Sequence, residues 1–303
     1  MEPRDRTAVV AAYAGMCTIW GTTWLAIKAG LQFAPPLTGV GLRFVVAGLA
    51  LYAAAAFVRR RPANEGAFPW KLVAVLTVCL FGLNYILTYT AETRLDSGLV
   101  AVLFGVLPFF VFGFAHVLAN ERTTPRIWAG ACLAFAGVAV ISFEGQARGS
   151  PLYALAVIGA AASSAFANVY ARRHAHHDPL RTLPPAMLLS GLGIGALGLW
   201  LERTDWRLAL SPPSIAAVLY LALLGSSLAF FLNLWVLRRV QAWIVGLSAL
   251  IIPVIAVAVG ILLGGERFGL RELLGAAFVM GGMWIALSRR ESAAELAQTE
   301  AEL

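Results

Sequence analysis

Charge is what this chain is short of. Only 13% of its 303 residues are Asp, Glu, Lys or Arg, while 60% are hydrophobic and mean hydropathy is +0.78. That is about half the charged share of an ordinary soluble domain. A chain so composed cannot cover itself with polar groups in water, and lipid is the solvent that suits it. Cysteine is scarce as well. Cys17, Cys79 and Cys132 lie far apart, each inside an apolar run. This excludes a disulfide framework and reads as buried, reduced thiols. Long polar loops are missing, so no connection can hold a soluble domain. Hydrolase and metalloprotease signatures such as Gly-x-Ser-x-Gly and His-Glu-x-x-His are missing too, and with them support for an enzyme. His116 stands alone. The run His174-Ala175-His176-His177-Asp178 lies in a polar loop, where solvation is the plain reading. No catalytic residues, no metal and no cofactor are expected.

What is present is length of apolar chain. Ten runs of spanning or near-spanning length cover 8–27, 37–58, 70–90, 98–118, 127–143, 151–171, 182–201, 214–236, 243–263 and 270–288. Each approaches the ~20 residues a helix needs to cross ~30 Å of hydrocarbon. They lack the period-two alternation of barrel strands. The first run is as long as a full span and reads as one, not as a cleavable signal. The connections carry turn chemistry or charge, as at Pro35-Pro36, Arg59-Arg60-Arg61-Pro62 and Ser211-Pro212-Pro213. The net charge of +7 does not point to nucleic acid, because the Arg residues sit between apolar runs and form no stripe. They orient the chain: the side holding the N-terminus collects fifteen Lys and Arg, the other side seven. The richer side faces the cytoplasm, which puts both termini there with a cytoplasmic tail at 289–303. The partners implied are a lipid bilayer and no nucleic acid; a homodimer stays open.

One stretch occurs twice. Shifted by 145 positions without a gap, 83–142 falls on 228–287. Pro108 then meets Pro253, Glu121-Arg122 meets Glu266-Arg267, Gly130 meets Gly275 and Gly137 meets Gly282. An internal duplication fixes the architecture. Extended back to its start, each copy holds five spans, 8–143 and 151–288. Five is odd, so the second copy inserts upside down. The fold class expected is an all-α membrane protein of ten transmembrane helices in two inverted five-helix repeats. Inverted repeats are a common plan of secondary transporters, with the substrate site near the midplane between them.

The motifs also resemble a known family. Trp20-Gly21-Thr22-Thr23-Trp24-Leu25-Ala26-Ile27-Lys28, Leu42-Arg43-Phe44 with Ala47, and the run 91–137 with Pro108, Glu121-Arg122, Gly130 and Gly137 are similar to the EamA-type drug/metabolite transporters. The resemblance covers about 8 to 288. It implies a multi-pass carrier of the bacterial inner membrane. Among such carriers, ten-helix exporters of aromatic amino acids stand nearest, with exporters of drugs or toxic compounds as the alternative. It also marks Glu121 and Glu266 as the family's helix-end glutamates, read as caps or tethers at the membrane surface. The second copy departs from the first: Ala165 replaces Trp20 and Val169 replaces Trp24.

The residues themselves suggest a cavity. Trp20 and Trp24 share a helix face, as do Tyr85 and Tyr89 with Thr88 beside them. Asn84, Asn168 and Asn233 are amides within hydrocarbon and need partners. Phe230 and Asn233 occupy the places of Tyr85 and Thr88 in the duplication, and Ser248 precedes Pro253 by five. Interfacial anchoring or helix–helix glue would account for any one of these alone. Pro108 and Pro253 interrupt the backbone ladder in mid-helix and are expected to act as hinges. Lys28 and Arg43 are expected to snorkel outward as structural contacts at helix ends. Gly191/Gly195 and Gly260/Gly264 are expected to let helices approach closely. No Asp or Glu lies deep in any run, Glu92 being at the end of its own. Proton-coupled carriers usually hide such a group. Coupling therefore runs through a peripheral group such as Glu92, or the carrier is facilitative. A cavity without buried charge would hold a zwitterion by dipoles and aromatic faces, with weak and broad selectivity. A channel would need a polar stripe along a whole helix, and none is present.

Overall fold

The computed structural model of the chain describes residues 3–58, 67–95, 100, 103–142, 151–264 and 270–287, and among these no strand occurs. Among the described residues ten long helices follow one another, with a four-residue helix, Trp206–Ala209, between the seventh and the eighth: α1 (Pro3–Gly30), α2 (Pro36–Val58), α3 (Trp70–Glu92), α4 (Leu107–Ala119), α5 (Pro125–Ser142), α6 (Pro151–Arg173), α7 (Pro179–Leu201), α8 (Pro212–Leu237), α9 (Ala242–Gly246 continued by Ser248–Gly264) and α10 (Leu270–Leu287). Each lies where an apolar run predicts it. Proline opens α2, α5, α6, α7 and α8 at the first position, where a missing N–H costs nothing and φ is already helical. Helices α2, α3, α6, α7 and α8 are long and apolar enough to cross a membrane, and α4, α5, α9 and α10 contain shorter apolar stretches. The outer surface is itself apolar: Phe57, Val117, Trp200 and Trp284 are more than 70% exposed. A water-facing surface rarely carries so many such side chains.

The halves interlock. Helix α2 packs on α7 and α5 on α10, while α1 lies against α8 and α9, and α6 against α3 and α4. Every one of these contacts joins one copy of the repeat to the other. Glycine lets the two tightest form. Gly41/Gly48, Gly130/Gly137, Gly191/Gly198 and Gly275/Gly282 are each seven apart, two helical turns, and so share a face. A Cβ on Gly130 would stand 2.5 Å from the Gly282 carbonyl oxygen, and one on Gly137 would stand 2.5 Å from that of Gly275. Gly41 faces Gly195, and Gly48 faces Leu188. In both pairs the numbers rise along one helix as they fall along the other, so equivalent helices run antiparallel. Gly191 and Gly195 lie in this contact as expected. Gly260 and Gly264 fall among residues whose close contacts are not described.

Two features differ from the sequence reading. First, α3 and α8 each contain a π-helical stretch, Leu76–Leu83 and Leu223–Leu228. Under the 145-residue shift Leu83 falls on Leu228, so both copies end the wide turn at one place. Such stretches cluster at functional sites. Second, Pro108 is not in mid-helix. It sits in the first turn of α4, after a non-helical turn at Gly105-Val106. Its missing N–H is one that the first turn of a helix leaves unpaired in any case, so it breaks no hydrogen bond of α4. Pro253 does lie inside a helix, five residues after Ser248.

Candidate functional site

The π stretch of α8 organises the site. Wide turns leave carbonyls and short side chains without their usual partners. Here Gly225 O accepts from Trp20 Nε1 (3.2 Å) and from Arg43 Nη2 (3.3 Å). Ser226 Oγ accepts from Arg43 Nε at 2.7 Å, and Ser227 Oγ donates to Ala222 O and Ala47 O. In α3 the matching stretch is served by Ser163 Oγ, which donates to Cys79 O at 2.9 Å, and by Asn84 Nδ2, which donates to Leu80 O at 3.2 Å. Helix α1 thus braces α8, and α6 braces α3, each across the repeat boundary.

Between these helices lies a cavity of about 140 Å³, roughly ten times what a single water needs on the same measure. Trp20, Asn84, Tyr85, Thr88, Tyr89, Asn168, Phe230, Asn233, Ser248 and Pro253 all line it. Its walls are related by the duplication: Tyr85 and Phe230, Thr88 and Asn233, Thr23 and Asn168, Phe104 and Ala249 all lie 145 apart and all border it. Aromatic rings form one wall. Trp20 meets Phe230 edge-on at 5.2 Å, Phe81 meets Phe230 at 4.9 Å and Phe44 meets Tyr85 at 4.7 Å. The amides are tied to one another. Asn168 Nδ2 donates to Ser164 O at 2.9 Å, and Asn233 Nδ2 donates to Asn168 Oδ1 at 2.9 Å, joining α6 to α8. Thr88 Oγ1 donates to Asn84 Oδ1 at 3.4 Å.

Arg43 corrects the sequence reading. It does not reach outward from a helix end. It is 2% exposed and borders the cavity. It lies eight positions into α2, and its bonds to Ser226 and Gly225 of α8 and to Tyr89 of α3 hold it there. The expectation of a cavity without buried charge falls with it. Thr23 was also missed, although its place opposite Asn168 in the duplication would have found it. Trp24 and Lys28 lie outside the residues whose side chains are described, and Glu266 lies outside the described residues altogether.

A cluster forms around Glu121, at the start of the helix that brings Val245 and Gly246 to the cavity. This carboxylate, 8% exposed, accepts from the Ala242 N–H through both oxygens (2.8 and 3.1 Å) and pairs with Arg172 Nε at 3.3 Å. Arg172 Nη1 donates to Leu237 O at 3.1 Å. Four chain ends meet there: the close of α4, α6 and α8 and the start of α9. The carboxylate caps the positive end of α9 and is buried in doing so. Glu202 caps α2, accepting from Leu37 N, Thr38 N and Thr38 Oγ1 at 2.8–2.9 Å.

Residues 7–143 and 151–288 each match the EamA-like transporter family. An Escherichia coli K12 protein described as an uncharacterized inner membrane transporter, YedA, is 29% identical over 286 residues, spanning 90% of this chain and 89% of its own. A Salmonella typhimurium protein described as a probable amino-acid metabolite efflux pump is 28% identical over 281 residues, 88% of this chain and 90% of its own. The Bacillus subtilis transporter YoaV, also uncharacterized, is 27% identical over 90% of this chain and 95% of its own. One crystal structure of another protein superposes with a TM-score of 0.80, covering 98% of this chain and 99% of that one at 21% identity, a likeness of fold.

Proposed function

The chain belongs to the EamA-like transporter family, and from that premise we propose that it is a bacterial inner-membrane carrier exporting neutral amino acids, aromatic ones among them, or related small metabolites by alternating access. In this reading ten helices span the bilayer, the halves insert upside down to one another, and both termini lie in the cytoplasm. One observation carries it: the cavity sits between the copies with duplicated positions on both walls, the arrangement that lets a rocking motion present one site to either side. The name of the Salmonella relative supports the substrate class. The aromatic wall supports it as well, since apolar and cationic groups both bind ring faces.

The test is flux in proteoliposomes over a panel of labelled amino acids, with and without a pH gradient. A carrier saturates and shows counterflow. Linear, unsaturating flux of every solute overturns the proposal in favour of a pore, and flux of cationic dyes alone favours a drug exporter. Trp20→Ala, Tyr85→Ala and Asn233→Ala are each expected to lower flux about tenfold or more in folded protein, because each removes a cavity contact made by a buried polar group. If all three transport normally, the cavity is not the route. Topology has its own check: single cysteines at Arg122 and Arg267 are expected to react with an impermeant reagent from opposite sides of the membrane. Labelling from one side dismisses the inverted arrangement.

A further inference from the structure

Arg43 is a cation placed in the cavity wall with only neutral groups in contact. Its guanidinium donates to Ser226 Oγ (2.7 Å), Tyr89 OH (3.1 Å), Gly225 O (3.3 Å) and Tyr85 OH (3.5 Å), and lies 5.1 Å from the Tyr85 ring centre. Arg172, by contrast, is paired with the Glu121 carboxylate at 3.3 Å. Glu92 acts on Arg43 only through space, from one turn beyond Tyr89. A charge held this deep is costly and marks a functional site by default, with its partner to be named.

The two phenols say what the partner is. Each oxygen accepts from Arg43, so its own hydrogen is left to donate elsewhere, and neither hydroxyl donates to any described residue. Both tyrosines border the cavity with Arg43. A fixed positive charge and two O–H donors therefore converge on one spot, a combination that suits an anion and offers nothing to a cation. The groups are pre-positioned from both halves, Tyr85 and Tyr89 from α3 and Ser226 with Gly225 from α8, so binding has little side-chain ordering left to do. Beside them lie the rings of Trp20 and Phe230 and the Asn233 amide, with no acidic side chain among the described lining residues.

We infer that the carried solute is a small organic carboxylate, zwitterions included, whose carboxylate docks on Arg43 between the Tyr85 and Tyr89 hydroxyls while its apolar body lies on the aromatic wall. This rests on the carrier reading and narrows it: compounds with cationic groups alone are excluded. It also assigns Arg43 a place in specificity that a structural brace would not have.

The experiment compares labelled neutral amino acids, phenylalanine first, with their carboxamides, which keep the body and remove the anion. Binding to purified protein is followed by tryptophan fluorescence and by thermal shift, and flux is followed in proteoliposomes. Wild type is expected to favour the acid at least tenfold. Arg43→Gln is expected to erase that preference, Arg43→Lys to restore part of it, and Tyr85→Phe with Tyr89→Phe to reduce it with the rings in place. A brace would change melting temperature but leave the acid-to-amide ratio alone, and Glu202→Ala, which loses the α2 cap and does not line the cavity, is expected to do that. If Arg43→Gln does not fold, the tyrosine variants carry the test. Saturable flux with acid and amide treated alike overturns the anchor and keeps the carrier. Neither binding nor flux of any probe overturns both.

Discussion

A Gly191→Ala protein is expected to lose about 3 kcal/mol of stability, while Gly193→Ala, two residues along the same helix, loses none. The added carbon at Gly191 would stand 2.6 Å from Val45 N, 2.9 Å from Phe44 C and 3.0 Å from Gly41 O. All three are backbone atoms of α2, so relief requires moving a whole helix. Overpacking of that kind costs ~1–3 kcal/mol and more where the neighbours cannot yield. At Gly193 nothing lies within 4 Å of the same atom, and alanine is the better helix former by about 1 kcal/mol. Heating detergent-solubilised protein and counting what stays monodisperse separates them: a fall of roughly 5–10 °C for one and no fall for the other. Equal behaviour would mean that α2 and α7 do not touch as described. Gly130→Ala and Gly282→Ala are expected to follow Gly191, because their added carbons also strike backbone across the α5–α10 contact.

Removing the Glu121 carboxylate has the second large effect, on which end of the cavity is open. In Glu121→Ala the Ala242 N–H loses both its acceptors and Arg172 loses its counter-ion. A lost cap costs about 1 kcal/mol, and a lost charge-assisted bond roughly 1.5–3 kcal/mol. Arg172 is 28% exposed, so water returns part of the second. A net of about 2 kcal/mol shifts an equilibrium roughly thirtyfold. If the contact exists only while this end is shut, that shift falls on the balance between states. A cysteine at Val245, in the cavity lining, is expected to react at least tenfold faster with an impermeant reagent added from the Glu121 side, cytoplasmic in the proposed topology, in protein lacking Cys17, Cys79 and Cys132. Glu121→Gln, which keeps an acceptor without the charge, is expected to fall between. Unchanged labelling would show that the cluster holds α9 in shape and gates nothing.

Most of the helical architecture could be read from the amino acids. Apolar run length, proline at helix starts and the 145-residue shift suffice because membrane helices satisfy their backbones locally. Asn168, Asn233, Tyr85 and Phe230 could be read too, since a polar or amphipathic side chain within hydrocarbon has few places to go. Three things could not. The depth of Arg43 depends on its contacts with Tyr89 of α3 and Ser226 of α8, which lie 46 and 183 residues away in the chain. The Glu121–Arg172–Ala242 cluster joins four separate chain ends that no local pattern links. The π stretches leave the apolar pattern unbroken, and their only trace is the polar run Gly225-Ser226-Ser227 in α8 and Gly82 in α3. Reading Pro108 as a mid-helix break failed for a similar reason: a helix beginning at Leu107 looks the same in sequence as one that began earlier.

The two glycine-faced contacts have a mechanical meaning. Helices α2–α7 clasp the halves through one set of backbones and α5–α10 through another, and the two clasps share no helix. Bodies pinned at two points keep a single easy freedom, rotation about the line through the pins. If the looser contacts of α1 and α6 slide while the clasps hold, the proposed carrier moves as a see-saw, in which widening on one face of the membrane narrows the other.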